Sequence, residues 1–317
     1  MNLRVVLAVI LFSAGAITQA QTPPRKIAVT FDDLPYAGVG RQDLLDARRV
    51  TKEILEVLKR RHIPAIGFVN EQQLQAPGEV ESRTALLRDW VSAGAILGNH
   101  TYSHPDCNLL SIEQLEEEVR KGDVVTRQLM TRRKPYQLYF RFPHNHTGNT
   151  IDKKEALEKF LAERGYKIAP YTIENSDFMF TVVYVLAKRS NDEATAKRVR
   201  QEYLDYTIAA TRFAEQISPR IFGREITQTL LVHANDLTAD CLDEMIARLA
   251  ARGYQFVSLD DAFSDPAYQT KDTLVTPAGP SWLWRWMKSK GMSISFAADP
   301  DPPQWINKSY GEWVASH

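Results

Sequence analysis

The sequence predicts an α/β fold on a parallel sheet, open or closed into a barrel. Two observations lead there. From Lys26 onward, short β-rich apolar runs alternate with stretches at helical spacing. Clusters of chemistry-bearing residues follow directly on several of those runs, and the C-terminal ends of parallel strands are where such folds gather their function. Composition permits it: 317 residues, 44% hydrophobic and 25% charged, can bury a sizeable core. Lys+Arg and Asp+Glu are both 39, a formal net charge of zero, so there is no general attraction to nucleic acid or to an anionic membrane.

The first residues read as a secretory signal peptide over 1–20. Arg4 supplies positive charge, Val5 to Phe12 is an apolar run too short for a comfortable membrane span, and Thr18-Gln19-Ala20 ends it. The mature chain is then expected outside the cytoplasm, periplasmic or secreted, with no later segment that reads as a transmembrane helix.

The elements follow in order. Ile27 to Phe31 is a compact apolar strand. Asp43 to Arg61 is a helix, with Leu44, Leu45, Val50, Ile54, Val57 and Leu58 at roughly helical spacing. Ala65 to Val69 is a strand, Ser82 to Ala93 a helix stopped by Gly94, and Ala95 to Leu97 a short strand. Ser111 starts a helix, with Gln114 completing a capping-box pattern. Strands are expected over Leu138 to Phe142 and Tyr166 to Ile173, flanking a helix over Lys153 to Arg164. Residues 179–217 read as a helical insertion lying over the domain. Ile226 to Val232, Asp240 to Arg252 and Tyr254 to Leu259 read as strand, helix and strand. The catalytic domain is placed at 26–263. Residues 264–317 form an extension rich in Pro and Trp, with Trp282, Trp284, Trp286, Trp305 and Trp313. It is read as an irregular wrap packing aromatics on the barrel outside, with a sugar-stacking surface as the alternative.

Cys107 and Cys241 are the two cysteines. Their spacing matches no metal motif, and whether they pair stays open at this level.

Five polar clusters carry the chemistry. Thr30-Phe31-Asp32-Asp33 puts adjacent carboxylates after a buried strand, costly unless paired or metal-bound, and strand alternation lets the two hold different roles. In His100-Thr101-Tyr102-Ser103-His104, two His four residues apart face the same side of a helical turn and can bind one divalent ion. Arg141, in Arg141-Phe142-Pro143-His144, sits in an otherwise apolar strand and needs a carboxylate partner, an Asp at another strand end being the natural one. Glu174-Asn175-Ser176-Asp177-Phe178 and Leu230-Leu231-Val232-His233 follow the next strands.

In order and content these clusters resemble the polysaccharide deacetylase (NodB-homology) family, of carbohydrate esterase type. The resemblance covers about Lys26 to Phe263. The His pair with its intervening residues is its most specific part. His144 stands where the family usually has Tyr, and Phe178 where it usually has Trp. The resemblance implies a distorted (β/α) barrel with fewer than eight strands, carrying here a helical insertion and a Trp-rich tail. It implies a divalent metal, usually zinc, held by Asp33, His100 and His104. It implies Asp32 as general base oriented by Arg141, and His233 as general acid oriented by Asp177. Leu231 would shape the acetyl pocket, and a backbone N–H near His144 would stabilise the oxyanion. His144 and Phe178 would meet substrate. His144 and its neighbour His146 are each open to substrate contact, metal ligation or simple exposure.

The implied activity is removal of acetyl groups from an N-acetylated sugar or polysaccharide by metal-dependent hydrolysis. Three alternatives share the residues: an O-acetyl esterase on a polysaccharide, an amidohydrolase on a small non-sugar amide, and a non-catalytic carbohydrate-binding barrel. Pure binding would not require Asp32, Asp33, His100, His104 and His233 together.

Overall fold

The structure, a computed structural model, describes residues 24–131, 136–295 and 299–316. The expected signal peptide lies outside the described residues, among which no helix is long and apolar enough to cross a membrane. In chain order the elements are β1 (Arg25–Leu34), α1 (Leu44–Arg61), β2 (Ala65–Val69), α2 (Val80–Ser92), β3 (Ile96–Asn99), α3 (Ile112–Lys121), α4 (Val124–Met130), β4 (Leu138–Phe140) and α5 (Ile151–Glu163). There follow β5 (Tyr166–Ile168), β6 (Ile173–Glu174), α6 (Asp177–Arg189), α7 (Glu193–Phe222), β7 (Gln228–His233), α8 (Asp236–Ala251), β8 (Tyr254–Phe256), α9 (Leu259–Phe263), α10 (Trp282–Ser289) and α11 (Gln304–Ser316).

The strands make one parallel sheet in the order β5-β4-β3-β2-β1-β7-β6, with β8 beside the start of β1. Central β1 is buried without a break from Ile27 to Asp32, which is why it reads as a continuous apolar run. The sheet curls as a distorted half-barrel, with eight strands where fewer than eight were expected, because short β8 adds beside the start of β1. Its edge strands β5 and β6 are joined by residues 169–172, where the Ala169 N–H donates to Phe140 O at 2.8 Å and the Thr172 N–H to Thr229 O at 3.0 Å. The expected single strand Tyr166 to Ile173 is therefore two strands on opposite edges. Pro170 between them has no N–H to give a ladder.

Local signals explain the helices that frame the site loops. Asp43 caps α1 by accepting from the Leu45 N–H at 2.8 Å, and Ser111 and Gln114 close a reciprocal capping box on α3. Residues 179–217 are helical as expected, in two helices rather than one. They belong to α6 and α7, broken at Asn191 (φ 58°) and restarted by Asp192, which caps α7. Both helices pack on each other and on α8, and none of residues 179–217 lines the cleft described below. The tail is more regular than an irregular wrap: α10 buries Trp282, Trp284 and Trp286, with Phe213 of α7 at 5.7 Å from Trp284 and Phe222 at 5.6 Å from Trp286. Those three indoles are core and offer no stacking face. Cys107 and Cys241 are separate buried thiols.

Candidate active site

The site is assembled from β1, β3, β4, β6 and β7 at their C-terminal ends. Asp32 is the last residue of β1 in register with β7, opposite His233. At Asp33 the backbone turns left-handed (φ 63°), so the two neighbouring carboxylates diverge. Asp32 points to Arg141, whose Nη1 donates to its Oδ1 at 2.9 Å and to Thr30 Oγ1 at 2.7 Å. Arg141 is fully buried; its Nε also donates to Ala169 O at 3.2 Å, and its guanidinium lies 4.4 Å from the Phe68 ring centre.

Asp33 points to the histidines. Its Oδ1 stands 3.5 Å from His100 Nε2 and 3.4 Å from His104 Nε2. The histidine pair is not on a helical turn. It lies on a loop with left-handed residues at Thr101 (φ 69°) and His104 (φ 58°). That loop is pinned by Asn99 Oδ1, which accepts from the Thr101 N–H at 2.7 Å, and by Glu118, which accepts from the Ser103 N–H at 2.8 Å. Of eight non-glycine residues with positive φ among the described residues, six (Asp33, Thr101, His104, His144, Asn145 and Ser176) sit in strand-end loops of this site, the concentration of strain expected where geometry serves function.

Asp33, His100 and His104 each offer one ligand atom, all within 4.8 Å of one another. The side chains fit a divalent ion. Asp33 Oδ1 is buried without a hydrogen-bond partner, a costly arrangement unless something cationic faces it. The His100 ring nitrogen Nδ1 lies 2.8 Å from Arg141 O; a carbonyl only accepts, so Nδ1 carries the proton and Nε2 presents its lone pair. Burial pulls the His100 imidazole down to about 4, keeping it neutral. Burial pushes the Asp33 carboxyl up, but His104, His233 and His100 together outweigh it and hold the acid below its usual range. Neutral imidazoles and an ionised carboxylate are the forms that bind metal.

His233 has a different environment. Its Nδ1 is 2.6 Å from Asp177 Oδ1, and its backbone N–H donates to Asp177 Oδ2 at 2.6 Å. Asn235 Nδ2 and Thr238 Oγ1 also donate to that Oδ2, at 2.9 and 3.0 Å. Burial disfavours charge on His233, but Asp177, with Asp33 and Asp32 behind it, raises the imidazole to about 10. Two histidines of one site are thus driven in opposite directions, His100 down by burial and His233 up by Asp177.

His144 (φ 54°) is exposed at the cleft edge, its ring 4.6 Å from His104, and lies outside the metal-ligand group. His146 turns away and pairs with Asp106 at 2.7 Å. Phe178 stands 6.2 Å from His233, and Leu231 lines the same cleft of about 470 Å³.

Sequence reasoning passed over Glu174, Tyr171, Asn145, Gly279 and Tyr310, which also line the cleft. Burial and nearby Asp177 raise Glu174 to about 7. Glu174 lay within a cluster singled out above; Gly279 and Tyr310 belong to the tail and carried no local signal. The tail also braces the His144 loop. Fully buried Arg285 donates to Asn145 O at 2.9 Å and Thr147 Oγ1 at 2.9 Å, and pairs with Asp272 at 3.0 Å.

Parts of this chain are similar to known proteins. The sequence profile of the family described as polysaccharide deacetylase matches residues 19–161, a span that holds Asp32, Asp33, His100, His104 and Arg141. A chitin deacetylase of Colletotrichum lindemuthianum is 31% identical over 34% of this chain and 38% of its own length, so the match spans well under half of that protein. A peptidoglycan-N-acetylglucosamine deacetylase of Bacillus cereus is 23% identical over 75% of this chain and 68% of its own. The solved peptidoglycan deacetylase PdaC of Bacillus subtilis aligns with a TM-score of 0.47 at 19% identity, over 76% of this chain and 93% of that one. Residues 19–161 of this chain, a little under half of it, are thus similar to the polysaccharide deacetylase family.

Proposed function

We propose that this chain is a metal-dependent hydrolase that removes acetyl groups from an N-acetylated sugar or polysaccharide. One observation carries the reading. An Arg-held carboxylate (Asp32) and a carboxylate-held imidazole (His233) stand on either side of the Asp33–His100–His104 cluster in a single cleft.

Asp33, His100 and His104 would hold a divalent ion, and the nitrogen and oxygen donors with room for further ligands suit zinc. Such an ion supplies Lewis-acid polarisation of the acetyl carbonyl and lowers the pKa of a water toward about 7. Asp32 is the base for that water. Arg141 occupies its Oδ1, leaving Oδ2, 3.8 Å from His100 Nε2, on the reacting side. His233 is the acid: Nδ1 is committed to Asp177, so its Nε2 proton is the one delivered to the leaving nitrogen. The His144 backbone N–H, on a loop that Arg285 fixes through Asn145 O, would meet the developing oxyanion. Leu231 closes the acetyl end.

The test is acetate release from N-acetylchitooligosaccharides, peptidoglycan fragments and O-acetylated xylan, with and without chelator. Chelator-sensitive release from an N-acetyl substrate supports the reading. Release from the xylan alone assigns the site to ester hydrolysis, and release from none of the three overturns it.

A further inference from the structure

The C-terminal helix α11 lies outside the matched family segment, yet it reaches the cleft. Tyr310 lines the cleft wall together with Phe178. The two rings meet edge to face at 5.5 Å and 80°, and Phe178 is in turn 6.2 Å from the His233 ring. Phe178 is 39% exposed. Tyr310 is half-buried, and its hydroxyl makes no hydrogen bond among the described residues. The ring is backed by Trp313, stacked at 6.2 Å and 29°, and α11 rests on α6, the helix that begins beside Phe178. Two fixed aromatic rings are thus held open to solvent next to the proton donor.

We propose that Tyr310, with Phe178, is a specificity-determining wall of the cleft that stacks on the C–H face of a pyranose ring.

The proposal rests on the deacetylase reading and names the part of the substrate that the tail recognises. Leaving two rings in water forgoes the free energy of covering them, which a ligand recovers. Much of the rest of the cleft is carboxylate and imidazole: Asp32, Asp33, Glu174, His100, His104 and His233. A wholly apolar ligand would strand those groups. A pyranose meets both demands, with an apolar C–H face for the rings and polar edges for the other side. The position beside His233 agrees with this. The nitrogen that receives the His233 proton is attached to the sugar, so the surface around His233 is where the sugar ring lies. A volume of about 470 Å³ is that of a small-molecule pocket rather than a long open groove, which fits a short oligosaccharide.

The test compares full-length wild type, Tyr310→Ala and Tyr310→Phe on two substrates, the trimer of N-acetylglucosamine and p-nitrophenyl acetate, which has no sugar. The expected result is that the ratio of kcat/KM for the trimer to that for the ester falls about tenfold in Tyr310→Ala, mostly through KM, and stays within about twofold of wild type in Tyr310→Phe. Calorimetric binding of the trimer in an Asp32→Asn background should show the same pattern, with Kd rising about tenfold on adding Tyr310→Ala. An unchanged ratio and Kd in Tyr310→Ala, or no binding of the trimer to the parent, would overturn the proposal. Acetate release without dependence on Tyr310 sinks this inference alone. Binding that depends on Tyr310 without acetate release sinks the deacetylase reading and leaves the wall standing.

Discussion

The Cα of Gly279 lies so close to the His144 loop that a Cβ added there would stand 1.9 Å from the His144 carbonyl oxygen. Tyr171 holds the same segment by donating its hydroxyl hydrogen to Gly279 O at 2.7 Å. The contact joins a tail residue to the strand-end loop that carries His144. Gly279→Ala must therefore push one backbone segment off the other. We expect a loss of about 1–3 kcal/mol in unfolding free energy and at least a tenfold drop in kcat, with metal content unchanged. Denaturant unfolding, steady-state kinetics and metal analysis on one preparation check this.

Among the described residues, Asp177 is the sole carboxylate within 3 Å of His233. Asp177→Asn removes the charge that outweighs burial, so the His233 imidazole falls from about 10 toward neutrality or below. The proton for the leaving nitrogen is then missing near pH 7. The expected fall in kcat is about 10²–10³-fold, larger for amide than for activated ester, whose leaving group needs no proton. The amide-to-ester ratio is the measurement.

Glu174 makes stability depend on pH in the direction opposite to most carboxylates. Burial, then Asp177, raise it from the ordinary 4.5 to about 7, so the unfolded chain releases this proton first. The group costs nothing below about pH 4.5, and destabilises progressively up to about pH 7 and fully above it. Glu174→Gln keeps an acceptor for the Ser176 N–H, now 2.6 Å from Glu174 Oε1. It should stabilise the fold at pH 8 by about 2 kcal/mol after allowance for partial solvent access, and change little at pH 4.5. Urea unfolding at the two pH values decides it, and equal effects at both would contradict the assignment.

Much of the fold was legible because parallel strands buried on both faces write themselves as apolar runs, and the sites follow where those runs stop. Asp32, Asp33, Arg141, Asp177 and His233 all sit at such stops. The histidine pair was legible as a pair and not as a shape. A helical turn and a loop with left-handed Thr101 and His104 place i and i+4 comparably, and the difference lies in Asn99 and Glu118, whose hydrogen bonds no periodicity encodes. Tyr166 to Ile173 looked like one strand because only Pro170 marks the crossing between sheet edges. Gly279, Arg285 and Tyr310 were invisible as site residues. Their contacts with Asn145, His144 and Phe178 are made between residues far apart in the chain, and the tail's Trp content drew attention to indoles that prove to be core.

The central claim is that Asp33, His100 and His104 hold the ion on which hydrolysis depends, while Asp32 serves the reaction without holding it. Elemental analysis of purified, zinc-equilibrated protein tests it most directly. The account predicts about one ion per chain in wild type and in Asp32→Asn, although the latter has lost most of its turnover, and none in His104→Ala. Stoichiometric metal retained by His104→Ala would contradict it.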